Sequence, residues 1–391
     1  MYTVRYNPTN GTYTLDAGSV HGVSTGSQFT VYKDQESFLR SSSWGTLFVS
    51  KVLASTAVLR GSEETQDLDP ANPSLAVLSA GGAGQALAII ATYDPTQLPP
   101  AFLDTIRLLE KTNVILLVDG LTNAELEMQL EDGHIVFNIL LPKVNACGLN
   151  RVYHVIQPTD SAETVRGTLS AGSRFFWHLR RGHYHPFVDS VKVEFLEITA
   201  SENEFDDAGY PIVIPSDENL LRNGAIDLYV SSDEENLKRY GIRLTNNSKW
   251  DLFPAAFYFN HSDWSIGAFC MSPSLIFTHN EHWLGSKIDT YYHSGTAGQF
   301  EAEAPLLKEG GTLTIGFGDG GSDPISFRLD KDDQDLDVGH MKIFFSTKPV
   351  DVRHMEQESP FTGNRSTFRV QNAALDTWVA VEYPIIQRRA L

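Results

Sequence analysis

Short strand patterns separated by turn residues run along most of this 391-residue chain, and they limit its possible folds more than any other feature. Alternating apolar and polar residues recur at short intervals, as in YTVRY, SQFTVY and VKVEFLEI. Asn-Gly, Asp-Gly and other glycine-containing pairs separate them, and such pairs supply the positive φ angles of tight hairpin turns. The 22 Phe and 14 Tyr accompany 30 Gly and 18 Pro, a composition that favours strands and turns. The sequence therefore predicts a β-rich protein, and its length predicts two or three domains.

Changes in this pattern divide the chain into three predicted domains. Residues 1–83 contain closely spaced strands alone and predict a small all-β, barrel-like domain. Residues 84–186 mix apolar strands with helical patterns and predict an α/β domain. Residues 187–391 return to strands and predict an antiparallel β-sandwich with a C-terminal extension. The expected fold class is a β-rich α+β multidomain protein with these three units in order.

Two helical patterns lie in the middle of the chain. The stretch PPAFLDTIRLLEKT begins with prolines and places Phe102, Ile106 and Leu109 on one stripe. The stretch SAETVRGTLSAGSRFFWHLRRG offers Ser161 as an N-cap and ends before Gly182. Both stretches are predicted to form helices with one apolar stripe.

Turn chemistry predicts several hairpins. Asp132-Gly133 lies between two strand patterns and predicts a two-residue turn. In YGIRLTNNSKWDLFPAAFYFNHSDWSI, two strands are expected to pair across a turn at residues 246–248. The predicted core residues of that hairpin are Ile242, Leu244, Phe257 and Phe259. The C-terminal stretches 378–381 and 384–386 are apolar enough to dock back onto the sandwich.

Charge and cysteine content exclude several classes of function. The net charge of −19 argues against nucleic acid or anionic membrane as the main partner, because both are negative. No apolar run approaches the 18 residues of a membrane-spanning helix, and no signal peptide is visible. Two cysteines cannot make a disulfide framework. We expect a cytoplasmic protein and read the four Asn-x-Ser/Thr triplets as chance. Because a strand pattern starts at the second residue, a piece of a longer protein is one expectation.

Nucleophilic catalysis has weak support in the sequence. Cys147 in VNACGLN and Cys270 in GAFCMSP lack a recognisable nucleophile signature. An inert, partly buried thiol explains each. A Gly-x-Ser-x-Gly elbow is missing, although Ser/His/Asp triads can be built without one. The sequence therefore predicts no catalytic residue.

Histidine pairs raise the possibility of a metal site. His183 and His185 alternate close to His178 in HLRRGHYH, and three imidazoles could hold zinc. A cationic helix end that complements the helix dipole is the simpler interpretation. His279, Glu281 and His282 in HNEHW lack the metalloprotease spacing and fit a polar loop. No metal ligand and no cofactor-binding residue is predicted.

Two loops resemble ligand loops in composition only. The first contains four glycines, Gly316, Gly318, Gly320 and Gly321. It lacks the Lys-Ser/Thr and following helix of a phosphate loop, so a hairpin turn is predicted. The second is acidic, with Asp330, Asp332, Asp333, Asp335 and Asp337. It lacks the calcium-loop order, so a solvated turn that guards a strand edge is predicted.

Several separated motifs resemble one known family in order. They are LDAGSVHGVSTGSQFTVY, LEDGHIVFNI, SRFFWHLRR, the stretch from Tyr240 to Ile266, GGTLTIGFGDGGSDPISFRLDKDDQDLDVGHMKIFFSTKPVDV and QESPF. Together they cover about residues 10 to 362 and resemble the C-terminal accessory region of caspase-domain (metacaspase-like) proteins of mushroom-forming fungi. In that family the catalytic His and Cys lie in an upstream peptidase domain. Their motifs are missing here, and His21 follows Val20 instead of the family's Ser-Gly, so no catalytic role is transferred. The stretch 272–295 is longer than the family's usual link and is where a site particular to this chain is expected.

The resemblance implies a non-catalytic accessory or recognition region that binds a partner or ligand, or restrains a protease. The partner expected is a protein or small ligand, with an upstream or separate caspase-like peptidase domain among the candidates. One alternative is a piece of a cysteine endopeptidase whose catalytic domain lies upstream. A second is a β-sandwich that binds carbohydrate or another ligand with the help of a metal.

Overall fold

The computed structural model describes most of the chain. The described residues are 2–21, 23–53, 56–61, 68–70, 72–82, 84–121, 124–182, 186–205, 211–231, 237–270, 307–318, 323–329, 334–347, 352, 355–361 and 378–390. The chain forms two compact units. The first comprises Met1–Pro142, Asn150–Arg181 and Val350–Thr377, and the second Lys143–Leu149, Gly182–Pro349 and Trp378–Leu391. Among the described helices, none combines the length and apolar character needed to cross a membrane.

Six antiparallel strands at the N-terminus close into a barrel, as predicted. They are β1 Tyr2–Asn7, β2 Thr12–Leu15, β3 Gln28–Tyr32, β4 Gly45–Val52, β5 Ala57–Gly61 and β6 Ser74–Ala80, joined in the order β1-β2-β5-β4-β3-β6. A short helix, α1 (Gln35–Leu39), lies between β3 and β4. Alternate residues such as Val4, Phe29 and Leu47 are fully buried inside. Closure pairs both sides of every strand, so the barrel has no open sheet edge.

A mixed sheet with helices follows the barrel in the first unit, in agreement with the predicted α/β character. Its strands are β7 Leu87–Ala91, β8 Ile115–Leu117, β9 Leu126–Glu131 and β10 His134–Ile139, in the order β10-β9-β7-β8. β7 is parallel to β8 and β9, and β10 is antiparallel to β9. Asp132 and Gly133 have φ of 49° and 79°, which confirms the predicted tight turn between β9 and β10.

Both predicted helices are present with the expected buried faces. Helix α2 (Pro100–Lys111) buries Phe102, Ile106 and Leu109. A short helix, α3 (Pro142–Ala146), precedes helix α4 (Ala162–Arg180). The Ser161 side chain caps α4 by accepting a hydrogen bond from the Thr164 amide at 3.1 Å. Helical periodicity and capping were sufficient to locate both long helices.

The second unit is a two-layer β-sandwich, which confirms the predicted class. Its strands are β11 Val191–Phe205, β12 Pro211–Asn219, β13 Leu221–Arg222, β14 Ala225–Val230, β15 Arg239–Asn246, β16 Phe253–Asn260, β17 Ile266–Cys270, β18 Thr312–Ile315, β19 Ile325–Ser326, β20 Leu336–Ser346 and β21 Trp378–Arg389. One sheet has the order β12-β11-β15-β18, with β19 also on β15, and the other has the order β13-β14-β21-β20-β16-β17. Side chains of both sheets, among them Phe195, Ile242, Tyr258 and Met341, share one buried core.

The C-terminal strand completes the second sheet. β21 pairs antiparallel with β20 along its length and parallel with β14. This confirms that the apolar C-terminal stretches dock back onto the sandwich. The β14–β21 pair is the exception to the antiparallel arrangement among the described strand pairs of this unit.

The predicted hairpin across residues 246–248 is wrong. β15 belongs to the five-stranded sheet, where β11 occupies one side and β18 and β19 the other. β16 pairs with β17 and β20 in the opposite sheet. A strand has two pairing sides, and both sides of β15 are taken, so the chain crosses between the layers here. The four predicted core residues are nevertheless fully buried.

The Asn246 side chain stabilises this crossing. Its amide nitrogen donates to the carbonyls of Trp250 at 2.7 Å, Leu307 at 3.0 Å and Lys308 at 3.1 Å. Its oxygen accepts from the Ser248 amide at 2.9 Å and hydroxyl at 2.6 Å. Asn246 is fully buried. Its side chain therefore supplies hydrogen bonds to buried backbone groups that neither water nor a neighbouring strand of a hairpin reaches here.

Candidate functional site

The densest group of polar side chains lies in the connection between β16 and β17. We call residues 260–265, Asn-His-Ser-Asp-Trp-Ser, the polar turn; all six are buried. The Asn260 carboxamide oxygen accepts from the Ser262 amide at 2.8 Å, and the Asp263 carboxylate from the Ser265 amide at 3.0 Å. Trp264 has a φ of 58° and is fully buried. Short polar side chains that bond to nearby amides favour such tight turns.

Two buried histidines meet beside the polar turn. His261 Nε2 lies 2.8 Å from His340 Nδ1 on β20, so one ring donates a hydrogen bond to the other. Burial, with the neighbouring His340, lowers the pKa of His261 well below its ordinary value. Burial also lowers the pKa of His340 to about 4. Removing imidazolium from water is costly, so both rings are neutral at pH 7.

Charged side chains surround His340. Glu382 on β21 raises the pKa of His340, and Lys143 and Lys342 lower it, each by less than burial does. Lys143 Nζ lies 2.8 Å from the Glu382 carboxylate, and Lys342 Nζ lies 3.9 Å from it. Lys342 is only 2% exposed, and its ammonium lies 5.6 Å from the centre of the Phe344 ring. The Glu382 charge is therefore shared by two cations, as a buried lysine requires.

The polar turn contains Ser, His and Asp, the residue types of a hydrolytic triad, but their hydrogen bonds differ from those of a triad. The Ser262 hydroxyl donates to Asp337, while His261 bonds to His340. A catalytic serine instead donates to the histidine that takes its proton. Ser262, His261 and His340 are 3% exposed or less, and general acid–base chemistry requires contact with a substrate. These bonds satisfy buried polar groups and fix the end of the sheet.

Cys147 lacks the environment of a nucleophile. Its thiol, which follows α3, donates to the Lys143 carbonyl at 3.2 Å. Burial raises the pKa of this thiol; Arg388 lowers it by less, and Asp227 raises it slightly further. A reactive cysteine needs a lowered pKa, so Cys147 fits the predicted inert thiol. The Cys270 side chain lies outside the described residues.

The histidine candidates are only partly described. His178 is buried on α4, while His183 and His185 lie outside the described residues. His279, Glu281 and His282, and the whole stretch 272–295, lie outside them as well. Within the described part of the chain, no three His, Cys, Asp or Glu side chains come together in a way that could hold a metal ion.

The glycine loop joins two strands but does not form the predicted hairpin. β18 and β19 both pair with β15, at different positions along it. Gly316 and Gly318 have φ of 86° and 63°, which confirms the need for glycine at these positions. A Cβ on Gly316 would also lie 2.9 Å from the Tyr240 carbonyl. Gly320 and Gly321 lie outside the described residues.

The acidic run differs from the predicted solvated turn at its last residue. Asp335 is exposed and lies 3.3 Å from Arg389. Asp337 is 1% exposed and accepts hydrogen bonds from Ser262 and from the Val338 amide. It is the second residue of β20, a strand that lies between β16 and β21 in its sheet, so Asp337 does not guard a sheet edge. Asp330, Asp332 and Asp333 lie outside the described residues.

The exposed apolar residues of the sandwich concentrate on the outer ends of β11 and β12. We call the described residues 199–205 and 211–214 together the hairpin tip. Phe205 is 56% exposed, Ile212 41% and Ile214 44%. Thr199 pairs with Ile214 and Phe205 with Pro211. All described residues of the tip are exposed or half-buried, so little of this strand pair is covered by the rest of the sandwich.

Sequence reasoning missed both the histidine pair and the hairpin tip. His261 and His340 are 79 residues apart, and nothing local marks them as neighbours. The hairpin tip has a visible signal, the stretch SENEFDDAGYPIVIP, in which apolar residues lie among acidic ones and prolines. Searches of protein-family models, of curated proteins and of solved structures return no match for this chain.

Proposed function

We propose that this chain is a non-catalytic recognition region that binds a protein partner through the hairpin tip of its β-sandwich. The observation that carries the proposal is the exposure of Phe205, Ile212 and Ile214 on a strand pair whose described outer residues are all exposed or half-buried. A two-stranded ribbon without a core is marginal in water. Grouped exposed apolar side chains are typical of surfaces that bind another protein.

The location of the chemically capable groups supports the same function. His261, His340, Ser262 and Asp337 are all buried by the sandwich itself, and they stabilise it. The resemblance to the accessory region of caspase-domain proteins agrees with a recognition role beside a peptidase, either in the same protein or in a separate one. We infer a cytoplasmic location, in line with the absence of a disulfide framework.

Selection from a random peptide library on the immobilised chain tests recognition without assuming a partner. We expect the wild-type chain to enrich related sequences and the Phe205→Ser/Ile212→Ser/Ile214→Ser variant to lose that enrichment. A matched control replaces three exposed leucines elsewhere, Leu39, Leu108 and Leu121, with serine and should enrich like wild type. Equal enrichment by the hairpin variant would exclude the tip as the recognition surface.

Peptide hydrolysis tests the non-catalytic part of the proposal. The purified chain is incubated with peptides that carry a basic or an acidic residue before the scissile bond, and we expect no turnover. Turnover that disappears in Cys147→Ala or Cys270→Ala would contradict the proposal and favour a cysteine peptidase.

A further inference from the structure

The hairpin tip leaves apolar area in water on an edge of the sheet. β12 is the terminal strand of its sheet, and β11 pairs with it on one side. Ile212 and Ile214 alternate with Val213, which packs partly against Leu196, Ile198 and Phe317. The two isoleucines therefore face away from that small apolar group, since side chains alternate across a strand. Their burial requires a surface from outside the described hairpin.

Prolines limit how that surface can be covered. Pro211 and Pro215 lie four residues apart in β12, so their missing amide hydrogens fall on the same side of the strand. Prolines in edge strands face the open side and discourage the addition of another strand. The hairpin tip is thus suited to contacts through side chains more than to pairing through the backbone.

Charge identifies the partner's chemistry. From Val193 to Leu221 the sequence has eight Asp and Glu and no Lys or Arg, and basic residues outside this stretch pair with three of the eight. Glu202 and Glu204 on the tip are exposed. A second copy of this chain would bring the same negative charge to the contact, which opposes association. Complementarity requires positive charge next to apolar side chains.

We propose that the hairpin tip binds a protein segment in which Lys or Arg side chains flank apolar ones. This inference rests on the proposed recognition function and adds the class of partner. The apolar side chains of the segment cover Ile212 and Ile214, which share one face of β12, while its cations lie near the exposed Glu202 and Glu204. Phe205 pairs with Pro211 and lies on the other face of the strand pair. Both contributions are needed, because exposed ion pairs alone contribute little.

Fluorescence anisotropy with three synthetic peptides of equal length tests the proposal. One alternates Lys and Val, one Lys and Ser, and one Glu and Val. We expect the full chain to bind the Lys–Val peptide at least about tenfold more tightly than either other peptide, since about 1.4 kcal/mol gives that ratio. The Phe205→Ser/Ile212→Ser/Ile214→Ser variant should lose about tenfold in affinity for it, as burial of these side chains is worth that much.

A charge variant separates local from overall attraction. Glu202→Gln/Glu204→Gln should weaken binding of the Lys–Val peptide several-fold, and added salt should reduce the difference. The matched control, Glu110→Gln/Asp119→Asn, removes the same net charge from exposed positions of the first unit and should bind like wild type. Equal weakening by the two variants would show non-specific attraction and overturn the proposal.

The remaining outcomes distinguish this inference from the recognition function. Tighter binding of the Glu–Val peptide, lost in the triple serine variant, would overturn the basic partner and leave recognition by the tip intact. If none of the three peptides depends on Phe205, Ile212 and Ile214 and the random library enriches nothing, both proposals fail.

Discussion

The polar turn and the hairpin tip both connect neighbouring strands of the same sandwich, yet they reverse the usual distribution of side chains. The polar turn consists of Asn, His, Ser, Asp and Trp and is buried. The hairpin tip carries Phe and Ile and is exposed. Hydrogen bonds to Asp337 and His340 offset the desolvation cost of burying the polar turn. The second has no comparable core, which is why we assign stability to one and recognition to the other.

The largest expected effect comes from Trp264 in the polar turn. Trp264→Ala removes a fully buried side chain and should lower the free energy of unfolding by about 3–5 kcal/mol. Trp250 is 53% exposed, so Trp250→Ala is a matched control and should cost under about 0.5 kcal/mol. Urea unfolding followed by circular dichroism measures both. Similar costs would contradict the assignment of the polar turn to the core.

Acid should destabilise the sandwich through the histidine pair. The pKa of His340 is about 4 in the folded chain, and an unfolded histidine titrates near 6.5, so the unfolded chain binds the proton more readily. Stability is therefore complete above about pH 6.5 and falls as the pH drops towards 4, by up to about 3 kcal/mol. Unfolding free energies across this range measure the loss.

His340→Gln isolates this contribution from other acid-sensitive groups. Without the His340 imidazole, and with Glu382, Lys143 and Lys342 in place, stability should fall less steeply between pH 6.5 and 4. The variant also loses the bond to His261, so it should be less stable than wild type at pH 8. Curves that stay parallel across the range would contradict the role of His340.

Replacing Asn246 tests whether its side chain stabilises the crossing between the two sheets. Asn246→Ala removes donors to three carbonyls and an acceptor for Ser248, and should cost about 2 kcal/mol. Asn247 is exposed, so Asn247→Ala should change stability by under about 0.5 kcal/mol. Urea midpoints compare the two. A larger cost at Asn247 would contradict the role of the Asn246 side chain in stabilising the crossing.

Features set by neighbouring residues could be predicted from the sequence. Helix α4 follows from its apolar stripe and Ser161 cap, and the β9–β10 turn follows from Asp132-Gly133. Each depends on residues within a few positions of each other. The sandwich class was predictable for the same reason, since alternation and turn residues recur through its strands.

Features set by distant residues could not be predicted. The partners of β15 depend on β11, β18 and β19 competing for its two sides. The burial of Asp337 depends on Ser262, 75 positions away. Nothing within NHSDWS predicts its burial, because partners such as Asp337 and His340 come from a strand about 75 residues further along the chain. The candidate recognition surface was missed because exposure of Phe205 and Ile212 is a property of the folded sheet edge.

One unfolding experiment tests the contrast between the two regions most directly. Urea midpoints of wild type and of Phe205→Ser/Ile212→Ser/Ile214→Ser are measured with and without the Lys–Val peptide. Without peptide the two midpoints should agree closely, since the replaced side chains lie outside the core. With peptide at about 100 times its dissociation constant, wild type should gain about 2.7 kcal/mol, and the variant should gain little. A lower midpoint of the variant without peptide, or an equal gain in both proteins, would contradict the account.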